Sequence, residues 1–110
     1  KGTSPEEYHE LTGAKLESYR LPFLALGHLI DAGVSCNACV MISFSDSEGI
    51  KAVKQRLYQT HAGILKSLEL EKITLFPKVA DRLKRERLTP KNVKHYRKRK
   101  PRREKDEERI

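Results

Sequence analysis

The run Cys36-Asn37-Ala38-Cys39-Val40-Met41-Ile42-Ser43-Phe44 constrains the fold more than any other stretch. It is nearly continuous in small and apolar residues, as a strand covered on both faces by helices would be. Helical stripes flank it. Before it, Leu16, Tyr19, Phe23, Leu26 and Ile30 recur at spacings of three and four, closed by Asp31-Ala32-Gly33. After it, the turn formers Ser45 to Gly49 lead into Ile50, Val53, Leu57, His61 and Leu65. A buried strand followed by a crossover helix predicts a parallel sheet.

The other elements follow from local chemistry. Ser4 is a good N-cap, Pro5 suits the first helical position and Glu7 can complete a capping box, so a short helix starts there and ends at Gly13. Pro22 requires a kink or a helix start near Arg20. Lys72 to Phe76 reads as a second strand, stopped by Pro77. Val79 to Leu88 reads as a charged helix, and Thr89-Pro90 can open one more helical turn. The expected order is helix, helix, strand, helix, strand, helix, tail. This is an α/β chain with parallel strands and crossover helices over residues 1–90, followed by a basic tail over 91–110 expected to be disordered.

With 110 residues there is room for a single core. The formal net charge of +8 is mostly a property of the tail, which carries ten Lys or Arg against four Asp or Glu and leaves 13 against 11 for residues 1–90. A dense row of cations such as Lys94 to Arg103, with Tyr96 available for stacking, has a physical claim on nucleic acid. No run approaches the roughly 18 to 20 apolar residues of a membrane span, and no signal-peptide core follows Lys1. A soluble, cytoplasmic protein with no membrane partner is the expectation. The two cysteines, Cys36 and Cys39, give no disulfide framework.

Several residue groups offer chemistry. His9, His28, His61 and His95 contain no i, i+4 metal pair and are expected at the surface or an interface. Glu69 and Glu71 straddle Leu70 and would face one side of an extended segment, suited to acid–base work, to a metal ion or simply to a solvated edge. On a strand, residues three apart point to opposite faces, so Cys36 and Cys39 should not share a metal ion. They are expected to be ordinary buried residues, and no metal ligand is assigned.

Lys1-Gly2-Thr3-Ser4-Pro5-Glu6-Glu7-Tyr8 through Leu11-Thr12-Gly13-Ala14, then Ala25-Leu26, Asp31-Ala32-Gly33-Val34, Val40-Met41-Ile42-Ser43 and Ile73-Thr74-Leu75-Phe76-Pro77, form an ordered series of words. In order and spacing the series resembles radical S-adenosylmethionine enzymes related to the pyruvate formate-lyase activating enzyme. The resemblance covers about residues 1 to 79. It implies the C-terminal part of a (β/α) barrel, with the cofactor at the C-terminal ends of the strands. By that resemblance Lys1 contacts the methionine carboxylate and Thr3 lies near the ribose. Met41, Ile42 and Ser43 lie along the strand that meets the adenine, and Pro77 and Lys78 close the sixth strand.

The departure is as informative. The family holds its [4Fe–4S] cluster with three cysteines spaced C-x-x-x-C-x-x-C, and this chain has only a C-x-x-C. The expected cofactor of this part is therefore S-adenosylmethionine, with the cluster belonging to a full-length parent only. In that parent, reductive cleavage of S-adenosylmethionine gives a 5′-deoxyadenosyl radical that abstracts hydrogen from substrate. The present chain, which begins without Met, is expected to be a fragment that is not catalytic alone. Its partners would be the missing N-terminal half of the barrel, or a complementary chain, and a protein substrate. The alternative is a small basic nucleic-acid-binding module acting through residues 94–103.

Overall fold

Burial along the central strand alternates. Ala38, Val40 and Ile42 are buried, whereas Cys39 is exposed and Met41 is half-buried. The structure, a computed structural model, describes residues 1–97. Its elements are α1 (Pro5–Thr12), a 3₁₀ turn (Leu16–Tyr19), α2 (Arg20–Asp31), β1 (Cys39–Met41) and α3 (Ser47–Thr60). A second 3₁₀ turn (Ala62–Ser67), β2 (Glu69–Glu71), β3 (Ile73–Leu75), α4 (Pro77–Arg85) and β4 (Val93–His95) follow.

The α/β class and the parallel pairing are seen directly. β1 pairs with β2 in parallel, Cys39 opposite Glu69 and Met41 opposite Glu71. β3 pairs with β4 in parallel, Ile73 opposite Val93. These are two separate two-stranded sheets, and no barrel closes among the described residues. Residues 1–3 run beside β1, tied by the Gly2 N–H to the Met41 carbonyl at 3.2 Å. Gly2 has φ 83°, and a Cβ there would press on the Glu7 side chain at 3.0 Å, so only glycine fits without strain.

The core lies on one side of β1. Tyr19, Phe23, Ala38, Val40, Ile42, Val53, Leu57 and Ile64 form it, with Leu26, Ile30 and Ile50 packed against it. The expectation that both faces of the strand are covered therefore holds for one face. Apolar Met41 and small Cys39 make the sequence read as continuously buried, yet they belong to the uncovered side. The cysteines are correspondingly less buried than expected, Cys36 being half-buried and Cys39 exposed.

Element ends are set by caps. Ser4 Oγ accepts the Glu7 N–H at 3.1 Å, and Gly13, at φ 75°, returns its N–H to His9 to end α1. Pro22 falls in the first turn of α2, where its missing N–H leaves no helical acceptor unserved. Leu16, in the 3₁₀ turn before it, is exposed and drops out of the apolar stripe. Asp46 caps α3 by accepting the Gly49 N–H at 2.7 Å. Beyond Thr60 the chain tightens to 3₁₀ geometry, whose shorter period turns Ile64 inward and leaves His61 and Leu65 outside.

The second half differs more from expectation. β1 is shorter than Cys36–Phe44 because the Ser45 N–H turns back to the Ile42 carbonyl at 3.0 Å. Pro77 does more than stop β3: it opens α4 at the first helical position. The helix closes at Arg85 because Arg87 adopts φ 55° and Leu88 N–H bonds the Leu83 carbonyl. In place of a helical turn after Thr89-Pro90, Lys91 and Asn92 donate their N–H groups to the Ser43 carbonyl at 2.6 and 3.0 Å. That contact delivers the chain into β4, so Val93–His95 of the expected tail is a paired strand. Residues 98–110 of the tail lie outside the described residues.

Candidate functional site

A cleft of 630 Å³ opens at the C-terminal end of β1. Lys1 and Met41 both line it, together with Glu10 and Leu11 from α1, Phe44 after β1, Ile73 from β3, and Val79, Arg82, Leu83 and Glu86 from α4. It combines cations at Lys1 and Arg82, carboxylates at Glu10 and Glu86, and an apolar wall. Such a lining suits a zwitterionic ligand with an aromatic part.

The remaining residues singled out from sequence sit elsewhere. Thr3 is buried against the start of α3, where a Cβ on Gly49 would collide with its hydroxyl. Ile42 faces the helical core. Ser43 is wholly buried: its Oγ accepts the Ile73 N–H at 2.8 Å while its carbonyl holds Lys91 and Asn92. It fastens β3 and β4 to the end of β1. Pro77 and Lys78 are exposed at the start of α4 and are not among the cleft's lining residues. Lys1 and Met41 are thus brought together, and Thr3, Ile42, Ser43, Pro77 and Lys78 form no part of the lining.

Two features were not visible in the sequence. Glu7 does not close a capping box; its carboxylate accepts the Ser45 hydroxyl at 2.5 Å, pinning α1 to the β1–α3 loop. The capping motif named the right residue for a different bond. Arg56 lies over the rings of Phe23 at 4.4 Å and Tyr19 at 5.2 Å, a cation–π contact roofing the core. Beneath it the Tyr19 hydroxyl is buried with no hydrogen-bond partner among the described residues. Burial pushes the Tyr19 pKa above its usual value; Arg56 opposes this and Glu7 adds to it.

On the uncovered face, strand register places Cys39 beside Glu69 and Glu71, with their donor atoms within 4.8 Å of one another. The two carboxylates do share a side, as the spacing predicted. The Cys39 pKa is raised, first by loss of solvent, then by a hydrogen bond to Glu71 and by the charges of Glu71 and Glu69. Each of these disfavours the thiolate, the form that attacks and that binds soft metal ions.

No family model, curated protein or solved structure matches the chain. Among the described residues no helix is long and apolar enough to cross a membrane.

Proposed function

We propose that this chain is the C-terminal part of a radical S-adenosylmethionine-type (β/α) barrel, supplying one wall of the cofactor pocket and carrying out no turnover of its own. The observation that carries the reading is the cleft at the end of β1, where the ordered series of sequence words places Lys1 and Met41 and the fold makes both line one space. The parallel strands and the bare side of β1 are what a barrel wall with its interior face uncovered would display.

The donor set fits S-adenosylmethionine. Lys1 and Arg82 would meet its carboxylate, Glu10 and Glu86 its positive charges, and Met41, Phe44 and Ile73 its adenine. In the resembling enzymes that molecule supplies the 5′-deoxyadenosyl radical that takes hydrogen from substrate. The [4Fe–4S] cluster does not fit: the sequence has two cysteines, Cys36 and Cys39, where the cluster needs three converging thiolates. Its ligands would come from the partner that covers the uncovered face, either an N-terminal half-barrel or a complementary chain. The role of the present residues is to bind and orient.

The sequence contains one methionine, Met41. A ¹³C-methyl-methionine label therefore gives a single NMR reporter in the cleft. Titration with S-adenosylmethionine into the millimolar range should move that resonance saturably, and Lys1→Ala should weaken the response. An unmoved resonance at that concentration overturns the proposal.

A further inference from the structure

β4 brings Tyr96 against Phe76, the residue that follows β3. The ring centroids are 4.9 Å apart and tilted by 48°. Both rings are exposed, Phe76 at 48% and Tyr96 at 47% of full accessibility, although aromatic side chains of this size usually find cover. Cations surround the pair in the chain. Lys78 follows Phe76 by two residues, Lys94 precedes Tyr96 by two, and Arg97 is its neighbour; all three are exposed. From Phe76 through Arg97 there are eight Lys or Arg against Asp81 and Glu86 only. Among the described residues no ion pair engages any of these cations, the single ion pair being Lys51 with Glu48.

Exposed aromatic rings beside cations that have no ion pair among the described residues meet one kind of partner well. The geometry points to a binding platform for single-stranded nucleic acid, with a base stacked on the Tyr96–Phe76 pair and phosphates held by Lys78, Lys94 and Arg97. A base in a single strand offers a free π-face, whereas a base in a duplex is already stacked on its neighbours. The cations contribute by releasing counterions from the phosphates. The platform lies within the folded region, so it differs from a purely electrostatic contact by the basic run, and it stands independently of the cofactor reading. Nothing in it reads base edges, so it should be tolerant of sequence and indifferent to the ribose 2′-hydroxyl.

Fluorescence anisotropy with labelled 12-mers of U and of dT, using the full chain at two salt concentrations, tests this. Both oligomers should bind with similar affinity. Tyr96→Ala should weaken binding about tenfold, the loss expected of one stacked base, while Tyr96→Phe stays within about twofold. The triple variant Lys78→Gln, Lys94→Gln, Arg97→Gln should reduce the slope of log affinity against log salt by about two. Tyr96 is exposed and follows β4, so its variants should melt like the parent, which circular dichroism checks. Unchanged binding by the alanine variant, tighter binding of a blunt duplex, a more than tenfold preference between the two oligomers, or no binding at all would overturn the platform.

Discussion

The two halves of the molecule are held by different forces. Among the described residues every buried hydrophobic one falls from Tyr19 to Ile64, in the packing of α2 and α3 on one face of β1. From Glu69 to Arg97 no residue reaches that degree of burial. The second half is held by backbone hydrogen bonds: β2 pairs with β1, β3 pairs with β4, and three backbone groups gather at Ser43. Apolar burial stabilises by area, and hydrogen bonds add only modestly once competition with water is counted. The first half should therefore behave as a cooperative core, and the second as a region that opens first unless something covers it.

The largest effect should break the first half. Leu57 is 2% exposed, so Leu57→Ala should cost about 2–5 kcal/mol in chemical denaturation, whereas Leu83→Ala, on a helix with no buried residue, should cost under about 1 kcal/mol. Equal costs would show that the halves are stabilised alike. Next, Ser43→Ala removes the acceptor of the Ile73 N–H and should cost about 1–3 kcal/mol. Its signature is regional: hydrogen exchange should quicken in β3 and β4 while α2 and α3 keep their protection.

The smallest effect sharpens the picture of the core itself. Tyr19→Phe deletes an unpartnered buried hydroxyl and should change stability by less than about 1 kcal/mol, neutral or upward, at pH 7. The pH dependence has a definite sign. Because the folded-state pKa of Tyr19 lies above its unfolded value, the unfolded chain loses the proton first, and stability falls as pH rises past the ordinary tyrosine value of 10.0. Denaturation between neutral and strongly alkaline pH should show a shallower decline in the phenylalanine variant than in the parent.

The first half was legible because its signals are local. Ser4, Asp46 and Gly13 act within a few residues of themselves, and the spacing of Phe23, Val53 and Leu57 names a helix face without reference to a partner. Leu65 misled because an α-helical period was carried into a 3₁₀ turn. The alternation along β1 was hidden because Cys39 and Met41 are as apolar as their buried neighbours. β4 was missed for another reason. Val93-Lys94-His95 has weak strand character, and its strand state is imposed from a distance by the Ser43 carbonyl and by β3. At the cleft, the strand-end words had singled out Lys1 and Met41 among seven residues, of which these two line it, and nothing local to Glu10, Phe44, Arg82 or Glu86 told that helices α1 and α4 would bring them to the same space.

The bond between Glu7 and Ser45 also bears on the order of assembly. It joins positions 38 apart in the chain, so closing it in an otherwise loose polypeptide would cost on the order of 3 kcal/mol in loop entropy. Once the turn after β1 and the cap of α3 have formed, much of that cost has already been met by the core. α1, which also sets the Tyr8 ring 5.6 Å from that of Tyr19, should accordingly dock once that core has formed. Since α1 carries Glu10 and Leu11, the cleft takes its final shape only when α1 is in place.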